Sequence, residues 1–215
     1  MQELPFEVGL QLDGWTLFWA HLELEPGSED RLATLRADVA ERLREDRELA
    51  TLSSEPTVAA LRRLFKAAGC DPTRYRPSSE ALVRRVLKGS ELPLIHPLVD
   101  LNNCLSALLG VPCCVMKEGS FAPPLSFRPG REGESYESMR GPFNLEGKPL
   151  LTDMLGPLDA PITGSERAKV TPDTIRAWLV AYLPSETLTP ERAEQELARL
   201  VEAAPVARIL TTAAS

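Results

Sequence analysis

Histidine is almost missing from this chain: His21 and His96 are the only two among 215 residues. A Ser–His or Cys–His nucleophile would have to use one of them. Neither sits in a GxSxG elbow or an HExxH helix, and there is no phosphate-binding glycine loop. Cysteine is scarce too. Cys70, Cys104, Cys113 and Cys114 do not form the paired CxxC spacing of a zinc site, so no metal is expected, and no cofactor motif is present. No apolar run approaches the roughly 20 residues of a membrane-spanning helix, which excludes a membrane partner of that kind. The N-terminal MQELPFEVGL lacks the basic and apolar regions of a signal peptide. The expected setting is therefore the cytoplasm, with the thiols reduced. An excess of positive charge is also lacking. The net charge of −7 argues against nucleic-acid binding through the overall field.

What is present is an ordinary globular composition, 43% hydrophobic and 26% charged, on a chain long enough for a proper core. The charge is unevenly spread. Residues 61–90 hold Arg62, Arg63, Lys66, Arg74, Arg76, Arg84, Arg85 and Lys88 against only Asp71 and Glu80. Such a block is either the solvated face of two helices or a docking patch for a polyanion such as RNA. From charge alone the solvated face is the default.

Alternating apolar runs on both sides of Asp13-Gly14 predict a β-hairpin, with Trp15, Trp19 and His21 on one strand face. Apolar spacing predicts helices over residues 29–49 and from Val58 to a stop at Gly69. A third helix, residues 80–88, has Ser78 or Ser79 as its cap and Gly89 beyond its end. Ala81, Leu82, Val86 and Leu87 would face inward, and Arg84 and Arg85 outward. Residues 98–109 suit a helix closed by Gly110, and Thr189-Pro190-Glu191 opens a last one through Ala203. VPCCVM, LSF, FNL, LLTDML, AKVT and IRAWLVAYL read as strands, although the Thr171-Pro172-Asp173-Thr174 preceding the last could also start a helix. The class is α+β. The expected organisation is an N-terminal part, residues 1–69, a main domain, 70–185, and a C-terminal helix segment, 186–215.

The stretch LPLIHPLVDLNNCLSALLGVPCCVM, residues 92–116, puts His96, Asp100, Asn102, Asn103 and two cysteines into an apolar run. It is either a core with satisfied polar groups or the floor of a pocket. Cys113 or Cys114 with His96 is the one conceivable nucleophile pair. Apolar surroundings raise a thiol pKa and favour inert cysteines, so the residue chemistry alone goes no further.

The ordered motifs RPSSEALVRRVLKG (residues 76–89), PLVDLNN (97–103), Gly110-Val111-Pro112 and SERAKVTPDT (165–174) resemble the B3/B4 domain, the tRNA-editing module of the phenylalanyl-tRNA synthetase β subunit. They are closer still to small freestanding proteins that carry this domain alone. The similarity spans about residues 70–185. It implies an α+β fold with a β-rich core, helices packed on it, and a pocket that takes the aminoacylated 3′ end of tRNA and hydrolyses wrongly attached tyrosine, a second sieve after synthesis. It implies no cofactor. In the family a Thr-Asn pair lies where this chain has Asn102 and Asn103, the candidate catalytic residues. A pocket histidine falls on Cys114, a tyrosine-reading glutamate on Val180, the glycine-rich wall near Gly164, and the freestanding proteins' asparagine on His96; these four are the candidate substrate-binding positions. An apolar Val180 could not pair a buried phenol, which implies a smaller or apolar side chain. Asp100 is expected to be structural. Arg74, Arg76, Arg84, Arg85 and Lys88 become candidate RNA contacts. They imply a tRNA partner held weakly and salt-sensitively by so acidic a chain, with any synthetase partner unknown. The expected activity is deacylation of mischarged tRNA; the alternative is a non-catalytic module binding tRNA ends or an amino-acid-like ligand.

Overall fold

A computed structural model describes residues 1–215. The chain is α+β, with five helices and eleven strands. A four-stranded sheet in the order β11-β2-β10-β3 is built from β2 (Trp15–Leu24), β3 (Cys113–Lys117), β10 (Arg176–Pro184) and β11 (Ala207–Ala214). Its strands pair antiparallel, β10 in unbroken register with both β2 and β3. Trp15, Leu17, Phe18, Trp19, Ala20 and Leu22 of β2 are all buried. A strand buried on consecutive residues is covered on both faces.

Sequence neighbours show which layer covers which face. Cys113 points to the helices, where it meets Ser106, whereas Cys114 meets Asp159 of the second sheet. The helices on the first face are α4 (Pro97–Leu109) and α5 (Pro190–Ala203), and α1 (Glu29–Asp46) packs against both of them. The second sheet, in the order β1-β4-β7-β8-β9, consists of β1 (Val8–Leu10), β4 (Leu125–Pro129), β7 (Pro149–Asp153), β8 (Gly156–Ala160) and β9 (Thr163–Gly164). Phe127 links the sheets, its ring 5.4 Å from Trp15 and 5.3 Å from Tyr182. α2 (Pro56–Ala67) closes one end, with Phe65 beside Trp15. α3 (Ser78–Leu87) packs on α1 and α4, and a hairpin of β5 (Ser135–Ser138) and β6 (Gly141–Asn144) meets β8 of the second sheet. One core of 42 buried residues draws on all of residues 1–69, 70–185 and 186–215.

Four local expectations give way to tertiary contacts. Asp13-Gly14 turns the chain, but β1 and β2 do not form a hairpin. β1 pairs parallel with β4 instead, because the turn carries the chain from one sheet into the other. AKVT is not a strand; its backbone is held by the Ser165 and Thr174 side chains and by Lys117 N, which donates to Ala168 O. Ser78 and Ser79 lie inside α3 rather than capping it. Arg84 does not stand free in solvent but is half-buried: its Nε is 2.9 Å from Oε1 of Glu80, whose side chain is wholly buried and also receives Arg62 at 2.9 Å and Arg76 at 3.8 Å. Residues beyond the last helix, for which the pattern carries no strand signal, add β11 at the sheet edge.

The turn from α4 into β3 ties the layers together. Gly110 takes the left-handed conformation, φ 71°, that closes α4. The next carbonyls are each claimed by a different donor: Gly110 O by Ser79 Oγ at 2.9 Å, Val111 O by Ser106 Oγ at 2.7 Å, Pro112 O by Tyr182 N at 2.9 Å, and Cys113 O by Asn102 Nδ2 at 3.4 Å. Ser106→Ala leaves the Val111 carbonyl only the longer 3.6 Å bond from Cys113 Sγ and is expected to lower unfolding free energy by about 1 kcal/mol. Urea denaturation checks this, and a loss no larger than that of an exposed serine would remove the turn's structural role.

Candidate functional site

α4 begins at His96, whose Nδ1 accepts from Leu98 N at 3.3 Å, with Pro97 in the first helical position. Burial lowers the His96 pKa, which suits the neutral ring that this cap requires. Val99, Asn103 and Ser106 then recur at helical spacing on one face, and that face borders a cleft of about 590 Å³. The cleft's other walls come from residues 74–85, the Pro93–Ile95 approach to α4, the β5–β6 hairpin and β9. Asp100 lies beneath, with Oδ1 accepting from Ile95 N at 2.9 Å and burial raising its pKa, a structural role as expected from the sequence.

The outer cleft is basic and aromatic. Arg74, Arg76, Arg85 and Arg140 line it together with Tyr75 and Phe143. Arg76 is partly engaged by Glu80, but Arg74, Arg85 and Arg140 have no carboxylate within 4.0 Å. Arg74 instead lies over the Tyr75 ring at 5.1 Å, and the buried Lys148 ammonium lies 4.2 Å from the same ring. Tyr75 and Phe143 meet edge to face at 5.9 Å.

Beside this cleft is a smaller chamber of about 160 Å³, and Ile95, Val99, Cys113, Met139 and Gly164 border both spaces. Asn102 and Cys114 line only the chamber. Ile95 and Met139 are exposed and form apolar lips, 63% and 54% accessible. Neither cysteine is a ready nucleophile: burial pushes both thiols above the ordinary thiol range. Behind Gly164 lies Asp159, almost fully buried. Its Oδ2 accepts from Tyr182 Oη at 2.6 Å, Cys114 bonds it too, and Oδ1 has no partner. A Cβ on Gly164 would sit 3.8 Å from that Oδ1. Burial lifts the Asp159 pKa to about 6, against the opposing effect of the Tyr182 and Cys114 hydrogen bonds. There is no cluster of His, Cys, Asp or Glu suited to a metal ion.

The fold thus brings Asn102, Asn103, Cys114, Gly164, Arg74, Arg76 and Arg85 to one connected pair of spaces. His96 lines neither space. Val180 is fully buried in the sheet between Cys114 and Trp19 and lines neither. Arg84 is held on Glu80, and Lys88 is exposed beyond α3 without reaching the cleft. Sequence reasoning missed Arg140, Phe143, Met139 and Asp159, which come from the irregular half of the chain where no periodicity points to them. Tyr75 had a readable signal, an aromatic set between two arginines.

The family model "B3/4 domain" matches residues 60–203. Fifteen chains of solved structures also match. One of them is an N-terminal fragment of the phenylalanyl-tRNA synthetase β-subunit from Pyrococcus horikoshii, 14% identical, with a TM-score of 0.49. The alignment covers 97% of this chain and 51% of that one, so the chain spans about half its length. No curated protein matches.

The Asp159 carboxyl gives a pH signature. Its folded pKa of about 6 exceeds the ordinary 3.8. The stability it contributes is therefore full below about pH 4 and is lost as pH rises through 6. Asp159→Asn is expected to flatten that part of the stability profile, raising stability at pH 7 relative to pH 4 by on the order of 2–3 kcal/mol against the parent. Denaturation curves across this range decide it; parallel profiles for parent and variant would show that the carboxyl is not perturbed.

Proposed function

The chain belongs to the B3/4 domain family, and on that premise we propose that it is a tRNA-associated module whose cleft receives an aminoacylated 3′ end and hydrolyses the ester. The observation that carries this reading is the juxtaposition of three arginines without carboxylate partners, two aromatic rings and an apolar side chamber in one cleft. Arginines track phosphates, and aromatic faces stack unpaired bases, a combination that suits a single-stranded end. It is local, so it operates despite the net charge of −7.

In this reading the terminal nucleotides lie along Arg74, Arg76, Arg85 and Arg140, with Tyr75 and Phe143 as stacking surfaces. The acyl group turns toward the chamber. Asn103 lines the cleft with a free side-chain amide, able both to hold a water and to donate to the developing oxyanion. The water's oxygen bonds to the ester carbon, the bond to the ribose oxygen breaks, and the water's proton passes to that leaving oxygen. A second reading, binding without hydrolysis, is favoured by one observation: the titratable group that shares the cleft floor with Asn103, Cys113, has its thiol pKa pushed up by burial and is not poised as a base, and the same holds for Cys114 in the chamber beyond.

Deacylation of a panel of mischarged tRNAs tests the first reading. Asn103→Ala is expected to lower turnover by about 10²–10³-fold, the usual effect of losing one oxyanion donor. Hydrolysis that persists unchanged would remove the residue from the site; binding without any hydrolysis would leave the second reading. Charge reversal at Arg74, Arg85 and Arg140 together is expected to weaken tRNA binding. It should also reduce the slope of log K against log salt by up to about three, roughly one per lost phosphate contact. An unaltered slope would return the patch to a solvated surface.

A further inference from the structure

The inner chamber carries information about the acyl group that the outer cleft does not, and the argument rests on the proposed use of the cleft by an aminoacylated end. Its walls are mainly apolar: Ile95, Val99, Val115, Met139, Ala168 and Val170. The two thiols that join them are neutral, and Cys114 is already engaged by Asp159. The remaining polar wall groups are occupied as well. Ser165 Oγ donates to Leu158 O at 2.6 Å and accepts from Ala168 N at 3.4 Å, and Lys169 is ion-paired with Glu166.

Asn102 is the exception. Its Nδ2 donates to Cys113 O at 3.4 Å, which sets the orientation of the amide. That leaves Oδ1 as a buried acceptor with no partner. An unfilled buried acceptor costs free energy until a donor reaches it. The chamber's size bounds what accompanies that donor. An apolar cavity of about 150 Å³ takes a benzene ring, and this one measures about 160 Å³.

We propose that the chamber selects an α-aminoacyl group with a free amine and an apolar side chain no larger than a phenyl ring, the amine donating to Asn102 Oδ1. Tyrosine is disfavoured by the same count. With the amine on Asn102 Oδ1, no lining side chain is left with a free acceptor for the phenol hydroxyl, so that donor would be buried unpaired. An N-acylated group loses the charged donor and adds bulk at the neck of the chamber.

The test uses non-hydrolysable 3′-amino-3′-deoxyadenosine amides carrying leucyl, tyrosyl or N-acetyl-leucyl groups, titrated calorimetrically into the full chain, with a short CCA-ending oligonucleotide alongside. The leucyl amide is expected to bind at least about tenfold more tightly than the other two, the loss that one unpaired buried donor causes. Asn102→Ala should abolish the difference between leucyl and N-acetyl-leucyl while leaving the oligonucleotide's affinity unchanged. The comparison among ligands on the parent chain stands even if the variant does not fold. Equal binding of the tyrosyl or the N-acetyl amide would overturn the inference while leaving the proposed function in place. Failure of every amide and of the oligonucleotide to bind would overturn both.

Discussion

Four consecutive carbonyls, from Gly110 to Cys113, meet donors from α3, α4 and β10. The backbone there cannot continue a helix and enters its sheet ladder only at Cys113, so its acceptors must be satisfied from outside. Each bond that does so holds a neighbouring element. Ser79 brings α3 to the end of α4, and Ser106 and Asn102 fasten α4 to the strand it feeds. Tyr182 N locks that strand's start to β10. The cleft lies between these same elements, so its shape follows from the way one turn is paired.

Electrostatics in this chain is a matter of which charges are matched. Glu80 is buried and receives Arg62 and Arg84 closely, with Arg76 farther off. This arrangement neutralises part of the basic block, half-buries Arg62 and Arg84, and fixes α3 against α2. Breaking such a group by deleting one partner costs more than the pair contributes when intact. The arginines left over, Arg74 and Arg85, point into the cleft, where Arg140 joins them from a distant hairpin. A field that is acidic overall is therefore compatible with a local anion site, because salt confines each charge to about its own 10 Å neighbourhood.

The helices were largely legible in the chain. Residues 98–109 fall within α4, closed by Gly110 as expected, and Thr189 caps α5 by accepting from Arg192 N. Apolar spacing and end signals act within a few residues, so a local pattern reports them faithfully. Sheet partners were less legible. The run around Asp13-Gly14 has the alternation of a hairpin, yet its two halves enter different sheets, since alternation tells which face is buried and not which strand lies alongside. The site divides the same way. Asn102, Asn103 and Cys114 stood out because polar groups interrupt an apolar run, whereas Arg140 and Asp159 sit in segments whose composition resembles any surface loop or strand.

By itself, then, the order of residues determined the helices, the caps of α4 and α5, the class, and the polar positions of residues 92–116, because these depend on neighbours a turn or a strand-length away. Only the tertiary structure decided which arginines are neutralised by Glu80 and which face the cleft. It also decided that Val180 and His96 lie outside the cleft and that Asp159 stands behind Gly164. Charge pairing and burial are set by residues that meet across long stretches of chain, and no local pattern encodes that meeting.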